Sequence, residues 1–249
     1  MRGTTDSVAP SNLPFDILGS RLLLDTATQD RLHRSVAEHT ARLSPDERNA
    51  LARLVYADLF SEYDARYLSD YLRARGYGEH FLACEERWAR DEELHYLGFR
   101  SIYAAISGRS EEELDDELAG RRARVDFRPI EPLFHDEFAT TLLMAYDELA
   151  TVRAYRKSAP SYARLGPVGE AFVDQVTADE GRHFRNFLKL LREEHGNRLG
   201  DVPAYVERIR STEGTAYGNT FVLDHDDDVW DETIFDDAAY SLRRRLAAS

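Results

Sequence analysis

Two five-residue segments, Asp91-Glu92-Glu93-Leu94-His95 and Asp179-Glu180-Gly181-Arg182-His183, repeat the pattern Asp-Glu-x-x-His. Each lies inside a long run with helical apolar spacing. Residues three apart share a helix face, so each glutamate and its histidine project to the same side. Two further helical runs each carry a carboxylate on an otherwise apolar face, Glu62 and Glu148. An ionised carboxylate buried without a partner is strongly unfavourable. A fold that buries all four faces therefore has to bring these groups together.

The faces can be followed residue by residue. Leu51, Leu54, Val55 and Leu59 form a stripe that Glu62 continues. Phe81, Trp88, Phe99 and Ile102 share a face with Glu92 and His95. Leu142, Ala145, Val152 and Tyr155 flank Glu148. Phe172, Val173, Val176, Phe184, Phe187 and Leu191 surround Glu180 and His183. With eight histidines, about one Glu-x-x-His is expected by chance, so a single copy says little. Two copies with the same preceding Asp, together with two single glutamates on separate helices, are a specific pattern.

Cations would neutralise these carboxylates. One Glu from each of two helices plus Glu-x-x-His from each of two others is the ligand pattern of ferritin-like di-iron carboxylate proteins. Oxygen-rich ligation with one imidazole per metal suits iron or manganese. On this pattern Glu92 and Glu180 bridge two metals, Glu62 and Glu148 are terminal, and His95 and His183 bind one metal each. Spacing supports Glu62 least, with Asp58 as the alternative carboxylate. A metal-bound histidine usually donates its other ring N–H to a carboxylate. Asp91 and Asp179 are placed to accept from the histidine on the opposite helix.

Helix signals dominate the chain and no strand alternation appears, so the expected fold is all-α, a ferritin-like four-helix bundle with additional flanking helices. Residues 1–16 read as a flexible N-terminus, 17–222 as the helical domain, and 223–249 as an acidic segment with a short helix. The first helix is expected from about Ser20 to Leu43. Ser44-Pro45-Asp46-Glu47 is a capping box opening a helix to about Arg75. The next spans roughly Glu79 to Ser107, and a short acidic one Ser110 to Arg122. Pro129 and Pro132 bracket the start of a helix running to about Ser158, with Pro160 marking its exit. A helix from about Val168 to His195 stops at Gly196, and short helices are expected at 204–210 and 236–246.

The net charge of −14 disfavours a nucleic-acid partner. No stretch approaches the roughly 20 apolar residues that span a bilayer, and no signal-peptide pattern follows Met1. A cytoplasmic protein is expected. The lone Cys84 cannot form an internal disulfide and reads as a core filler. An acidic run holds Asp224, Asp226, Asp227, Asp228 and Asp231. Basic clusters occur at Arg121, Arg122, Arg124 and Arg128, and at Arg153, Arg156, Lys157 and Arg164. Both kinds of run read first as solvated surface.

The chain resembles the soluble acyl-carrier-protein desaturases over about Ala57 to Leu191. The carrying segments are Ala57 through Glu62, Trp88 through His95, Glu148-Leu149-Ala150-Thr151, and Thr177 through His183. The resemblance implies two iron ions held by the same glutamates and histidines, with dioxygen as co-substrate. It implies two electrons from a ferredoxin-type donor and removal of two hydrogens from adjacent carbons of an acyl chain on an acyl carrier protein. It places Thr151 beside the oxygen site, where a threonine bonding back to its own helix is the alternative. A homodimer is expected by analogy. The first motif reads Asp-Glu-Glu-Leu-His where the family usually has Glu-Glu-Asn-Arg-His, and the part after about His195 matches poorly.

Rival readings share the ligand pattern. A hydroxylase is a near neighbour of a desaturase. A di-iron N-oxygenase adds a histidine one turn before the second glutamate, where this chain has Val176. An iron-storage protein would assemble as a shell. A radical-generating subunit needs a tyrosine at the cluster; Tyr96, Tyr146 and Tyr155 serve equally as core packing.

Overall fold

A computed structural model describes residues 22–121, 125–218, 221–223 and 230–247. The expectations for residues 1–16, for Arg122 and Arg124, and for Asp224, Asp226, Asp227 and Asp228 lie outside the described residues, as does the Arg121 side chain. Eight α-helices run through the described residues: α1 (Thr26–Thr40), α2 (Pro45–Arg73), α3 (Glu79–Ser107), α4 (Glu111–Arg121), α5 (Glu137–Tyr162), α6 (Gly166–Glu194), α7 (Val202–Arg210) and α8 (Glu232–Ala247). No strand occurs among them.

Local chemistry fixes where these helices begin and end. At α2 the Ser44 hydroxyl accepts from Glu47 N, and Glu47 Oε2 accepts from Ser44 N at 3.0 Å, completing the capping box. Helix α3 keeps its expected bounds, with Gly108 in the left-handed conformation closing it. Residues 22–25 are not helical and the first helix starts at Thr26, because Asp25 caps it, accepting from Thr28 N at 2.8 Å; the expected start at Ser20 lies outside the described residues. The helix expected from Pro132 splits into a 3-10 turn over Glu131–Phe134 and then α5. Asp136 makes that break by accepting from Ala139 N at 2.8 Å. Helix α5 continues past Pro160 to Tyr162, since packing of buried Ser158 and Tyr162 outweighs one missing N–H in the last turn.

Helices α2 and α3 pack as one pair and α5 and α6 as another, with α3 against α6, forming a ferritin-like four-helix bundle. Helix α1 lies across α3 and α6, while α7 and α8 cover α5. That cover explains why every residue from Phe138 to Ala150 is buried. Helix α5 is a central helix with no solvent face over this stretch. No described helix is long and apolar enough to cross a membrane.

The bundle interior is split into two apolar layers. One contains Leu68, Phe81, Trp88, Leu142, Phe184, Phe187 and, from α8, Phe235 and Leu242. The other contains Val36, Val55, Leu59, Phe99, Ile102, Tyr155, Phe172 and Val176. Along α2, α3 and α6 the switch between layers falls at the polar positions: Glu62, then Glu92 and His95, then Glu180 and His183. The fold thus carries a polar slab across its middle, sealed at both ends by hydrocarbon.

The α3–α6 contact is close. A Cβ added at Gly98 would lie 2.1 Å from the tip of the buried Phe172 ring. Alanine normally gains about 0.5–1 kcal/mol over glycine in a helix, but overpacking a core costs about 1–3 kcal/mol. Gly98→Ala is therefore expected to destabilise the protein on balance, read as a lower midpoint in urea unfolding; a raised midpoint would show that the contact is loose.

Candidate metal centre

Four helices each contribute to the slab. Glu62 comes from α2, Glu92 and His95 from α3, Glu148 from α5, and Glu180 and His183 from α6. All six are buried, His95 completely. Their ligand atoms form two clusters, Glu62–Glu92–His95–Glu180 and Glu92–Glu148–Glu180–His183, each within 4.8 Å of mutual separation and each able to hold a metal ion. Glu92 and Glu180 belong to both.

The two histidines are arranged alike. His95 Nδ1 lies 3.2 Å from Glu92 Oε2, 3.3 Å from Glu180 Oε1 and 3.5 Å from Glu62 Oε2. His183 Nδ1 lies 3.0 Å from Glu180 Oε2, 3.1 Å from Glu92 Oε1 and 3.2 Å from Glu148 Oε2. The ring centroids are 6.0 Å apart. Each Nε2 points outward to the aspartate preceding the other motif's glutamate. His183 Nε2 is 3.2 Å from Asp91 Oδ2, and His95 Nε2 is 3.6 Å from Asp179 Oδ2. Asp179 is also paired with Arg182, one turn on, and accepts from Gln175 Nε2 at 3.3 Å.

Electrostatics in the metal-free site show what the cluster lacks. Burial, reinforced by the charges of Glu180 and Glu62, pushes the Glu92 carboxyl up to about 8. Burial also raises Glu148 well above the carboxylate range. For His95 burial disfavours the cation, but Glu92, Glu180 and Glu62 outweigh it and raise its pKa. Glu148, Asp91 and Glu180 do the same for His183. Glu180 is lowered, because the two histidines outweigh its burial. Protons thus hold the place of positive charge. Three buried oxygens, Glu62 Oε2, Glu92 Oε1 and Glu148 Oε1, still have no hydrogen-bond partner, which is costly in a closed interior. Four carboxylates balance two divalent ions in charge, and the donor set is oxygen with one imidazole per cluster. The residues therefore fit a di-metal centre of iron or manganese type. Cys84 is buried elsewhere in the core, and burial pushes its thiol up to about 12, which keeps it protonated.

Asp58, the alternative to Glu62, accepts instead from the Tyr162 hydroxyl. Thr151 is half-buried one turn beyond Glu148. Thr140 and Thr141 bond back to carbonyls four residues earlier on or before α5; no such bond occurs for Thr151 among the described residues. Two contacts escaped the sequence reading. Arg182 follows Asp179 by three residues, a spacing that does signal a pair. Tyr155 follows Glu148 by seven, two turns along the same face, yet its partner is Glu62 on α2: its hydroxyl donates to Glu62 Oε1 at 2.9 Å. Burial raises the Tyr155 pKa well above its ordinary value and keeps the group a neutral donor. Tyr155→Phe strands that oxygen. A loss of about 1–3 kcal/mol is expected in the metal-free protein, measured by chemical denaturation; unchanged stability would show that Glu62 does not need the bond.

No protein-family model, curated protein or solved structure matches the chain. Its all-α bundle and its two buried clusters sharing Glu92 and Glu180 are consistent with a ferritin-like di-iron-binding superfamily.

Proposed function

We propose that the chain is a di-iron, O2-dependent oxidoreductase that desaturates an acyl chain carried on an acyl carrier protein or a related carrier domain. The observation that carries the di-iron reading is the pair of clusters hinged on Glu92 and Glu180. The acyl reading is supported by the resemblance of Trp88–His95, Glu148–Thr151 and Thr177–His183 to the acyl-carrier-protein desaturases.

In this reading Glu92 and Glu180 would be shared between the two irons, Glu62 and Glu148 would each serve one, and His95 and His183 would each bind one through Nδ1. The iron pair, when bound, supplies the electrons that reduce dioxygen and the oxidising power that breaks unactivated C–H bonds. The balance is a –CH2–CH2– unit, dioxygen, two electrons and two protons giving –CH=CH– and two waters. A ferredoxin-type protein would supply the electrons.

The chain's own residues do the rest. Asp91 accepts from the outward Nε2–H of His183 at 3.2 Å, and Asp179, 3.6 Å from His95 Nε2, faces that group as its nearest carboxylate, which leaves each Nδ1 lone pair directed inward. Tyr155 fixes one oxygen of Glu62, leaving the other for a metal. The two apolar layers close the slab to water at its two ends, and Thr151 offers a hydroxyl one turn from Glu148 for a proton in transit. Positioning of this kind accounts for much of the rate of such reactions. An N-oxygenase is disfavoured because Val176, where its extra histidine would stand, is a fully buried core residue.

The test is mass spectrometry of acyl-loaded carrier protein after incubation with iron-reconstituted protein, a ferredoxin–reductase system and oxygen. An acyl group lighter by two hydrogens is expected. A product heavier by one oxygen would make the chain a hydroxylase, and an unchanged acyl group on every carrier would defeat the acyl reading. Sedimentation checks the homodimer; a large shell loading many irons per chain would indicate storage.

The Tyr155–Glu62 bond favours a second reading, in which the centre oxidises Tyr155 and the chain stores a radical. Electron paramagnetic resonance after oxygen exposure decides it: a tyrosyl signal lost in Tyr155→Phe supports that role, and no signal in the wild type removes it.

A further inference from the structure

The polar slab is not closed on every side. Between α2 and α3 a groove of about 360 Å³ opens from the surface, and Glu62 and Glu92 line its inner end. Both are buried to within a few per cent, and Glu62 Oε2 and Glu92 Oε1 have no hydrogen-bond partner. The groove thus runs from the surface to two ligand residues whose unpartnered oxygens are themselves covered, while the apolar layers close the bundle above and below.

The groove has the charge a cation would follow. Carboxylates Asp70, Glu86 and Glu93 stand along its walls. Its arginines are largely occupied. Arg73 donates through Nε to both oxygens of the buried Glu85, at 2.9 and 3.1 Å, and Ser69 donates to the same carboxylate. Arg90 lies 3.7 Å from Glu86. Arg66 also bridges α2 to α3, but its carboxylate partner is exposed rather than buried. Its Nη2 is 3.1 Å from Glu93 Oε2, and its guanidinium lies over the rings of Tyr63 and Tyr96 at 4.1 and 4.7 Å. The pair is well exposed, at 32% and 51%, and a pair so exposed is weak and opens readily.

We propose that this groove is the route by which divalent cations reach the centre, and that the Arg66–Glu93 pair is its movable cover. The proposal rests on the metal-centre reading and adds a path and a gate to it. An incoming hydrated ion meets the wall carboxylates first, displaces Arg66 from Glu93, and exchanges water for Glu62 and Glu92 oxygens at the inner end. A line of carboxylates raises the local cation concentration and the capture rate, and a guanidinium in that line lowers both.

Anaerobic stopped-flow uptake of Fe2+ by the full metal-stripped chain, and its extraction by a chromogenic Fe2+ chelator, test this. Ala89 lines the groove and is half-buried. Ala89→Trp, which plugs it, is expected to slow uptake and extraction about tenfold or more while leaving the same final iron content. Arg66→Ala is expected to accelerate both by about tenfold, within the range of electrostatic guidance. Ala52→Trp is the control. It plugs a groove of about 460 Å³ elsewhere, between α2, α3 and α4, one that neither Glu62 nor Glu92 lines, and it is expected to load like the wild type. Unchanged rates in both Ala89→Trp and Arg66→Ala overturn the route while leaving the centre intact. Should Ala89→Trp fail to fold, Arg66→Ala decides alone, and a wild-type rate in it overturns the proposal. A wild-type chain that takes up no iron overturns the metal-centre reading, and the route with it.

Discussion

Glu180→Ala is expected to empty both metal positions, because Glu180, like Glu92, lies within 3.3 Å of both histidine Nδ1 atoms and belongs to both clusters. The loss in affinity should exceed the roughly 10–100-fold that follows removal of an outer hydrogen-bond partner of a ligand. Asp91→Asn, which weakens the acceptor for His183 Nε2 without touching the cluster, supplies that smaller reference effect. Glu62 and Glu148 each belong to one cluster only. Their alanine variants should therefore retain one ion per chain where the wild type holds two. Metal analysis after desalting, with circular dichroism to confirm the fold, reads all four variants. Two retained ions in Glu180→Ala, or equal losses in Glu62→Ala and Glu180→Ala, would contradict a shared carboxylate.

The second large effect is on stability, and its sign depends on pH. In the metal-free protein Glu92 is raised to about 8 from an ordinary 4.5, so between these values the folded state holds a proton that the unfolded state releases. Its contribution is fully present below about 4.5 and is lost as pH climbs through 8. The raised histidines act in the same sense, stabilising below their ordinary 6.5 and losing that contribution as pH rises through their folded values. The lowered Glu180 acts oppositely, but its contribution disappears only as pH falls below the ordinary carboxylate range. Metal-stripped protein is thus expected to melt lower at pH 8 than at pH 6. Metal binding needs the same groups deprotonated, so added Fe2+ or Mn2+ should stabilise most at pH 8. At a thousand times the dissociation constant each ion contributes about 4 kcal/mol. For a chain of this size two ions raise the midpoint by roughly 15 °C or more. A metal-free midpoint that rises from pH 6 to 8, or one that metal leaves unmoved, would show that the carboxylates are not held together as described.

Much of this centre was readable in the chain because helix geometry is so regular. Once α3 and α6 are helices, Glu92 and His95, or Glu180 and His183, have no choice but to share a face. The reciprocal reach of Asp91 and Asp179 follows from their place before those glutamates. Boundaries were legible where a side chain or glycine announces them, as at Ser44 and Gly108. They were misjudged where a single aspartate, Asp25 or Asp136, takes the first free N–H groups, since an aspartate has many other uses. The run through Pro160 and the complete burial of α5 are set by contacts with distant α7 and α8, which local pattern does not encode. The Tyr155–Glu62 bond and the α2–α3 groove likewise depend on how two helices lie side by side. Pairings between helices, unlike faces within one, have no period to read.

Iron K-edge X-ray absorption on the anaerobically reconstituted, reduced chain tests the central claim most directly. The account predicts two irons per chain, only oxygen and nitrogen neighbours, and an iron–iron distance of roughly 3.5–4 Å as in other two-metal sites. A sulfur neighbour, or isolated irons with no metal–metal vector, would contradict a dinuclear centre strung between Glu92 and Glu180.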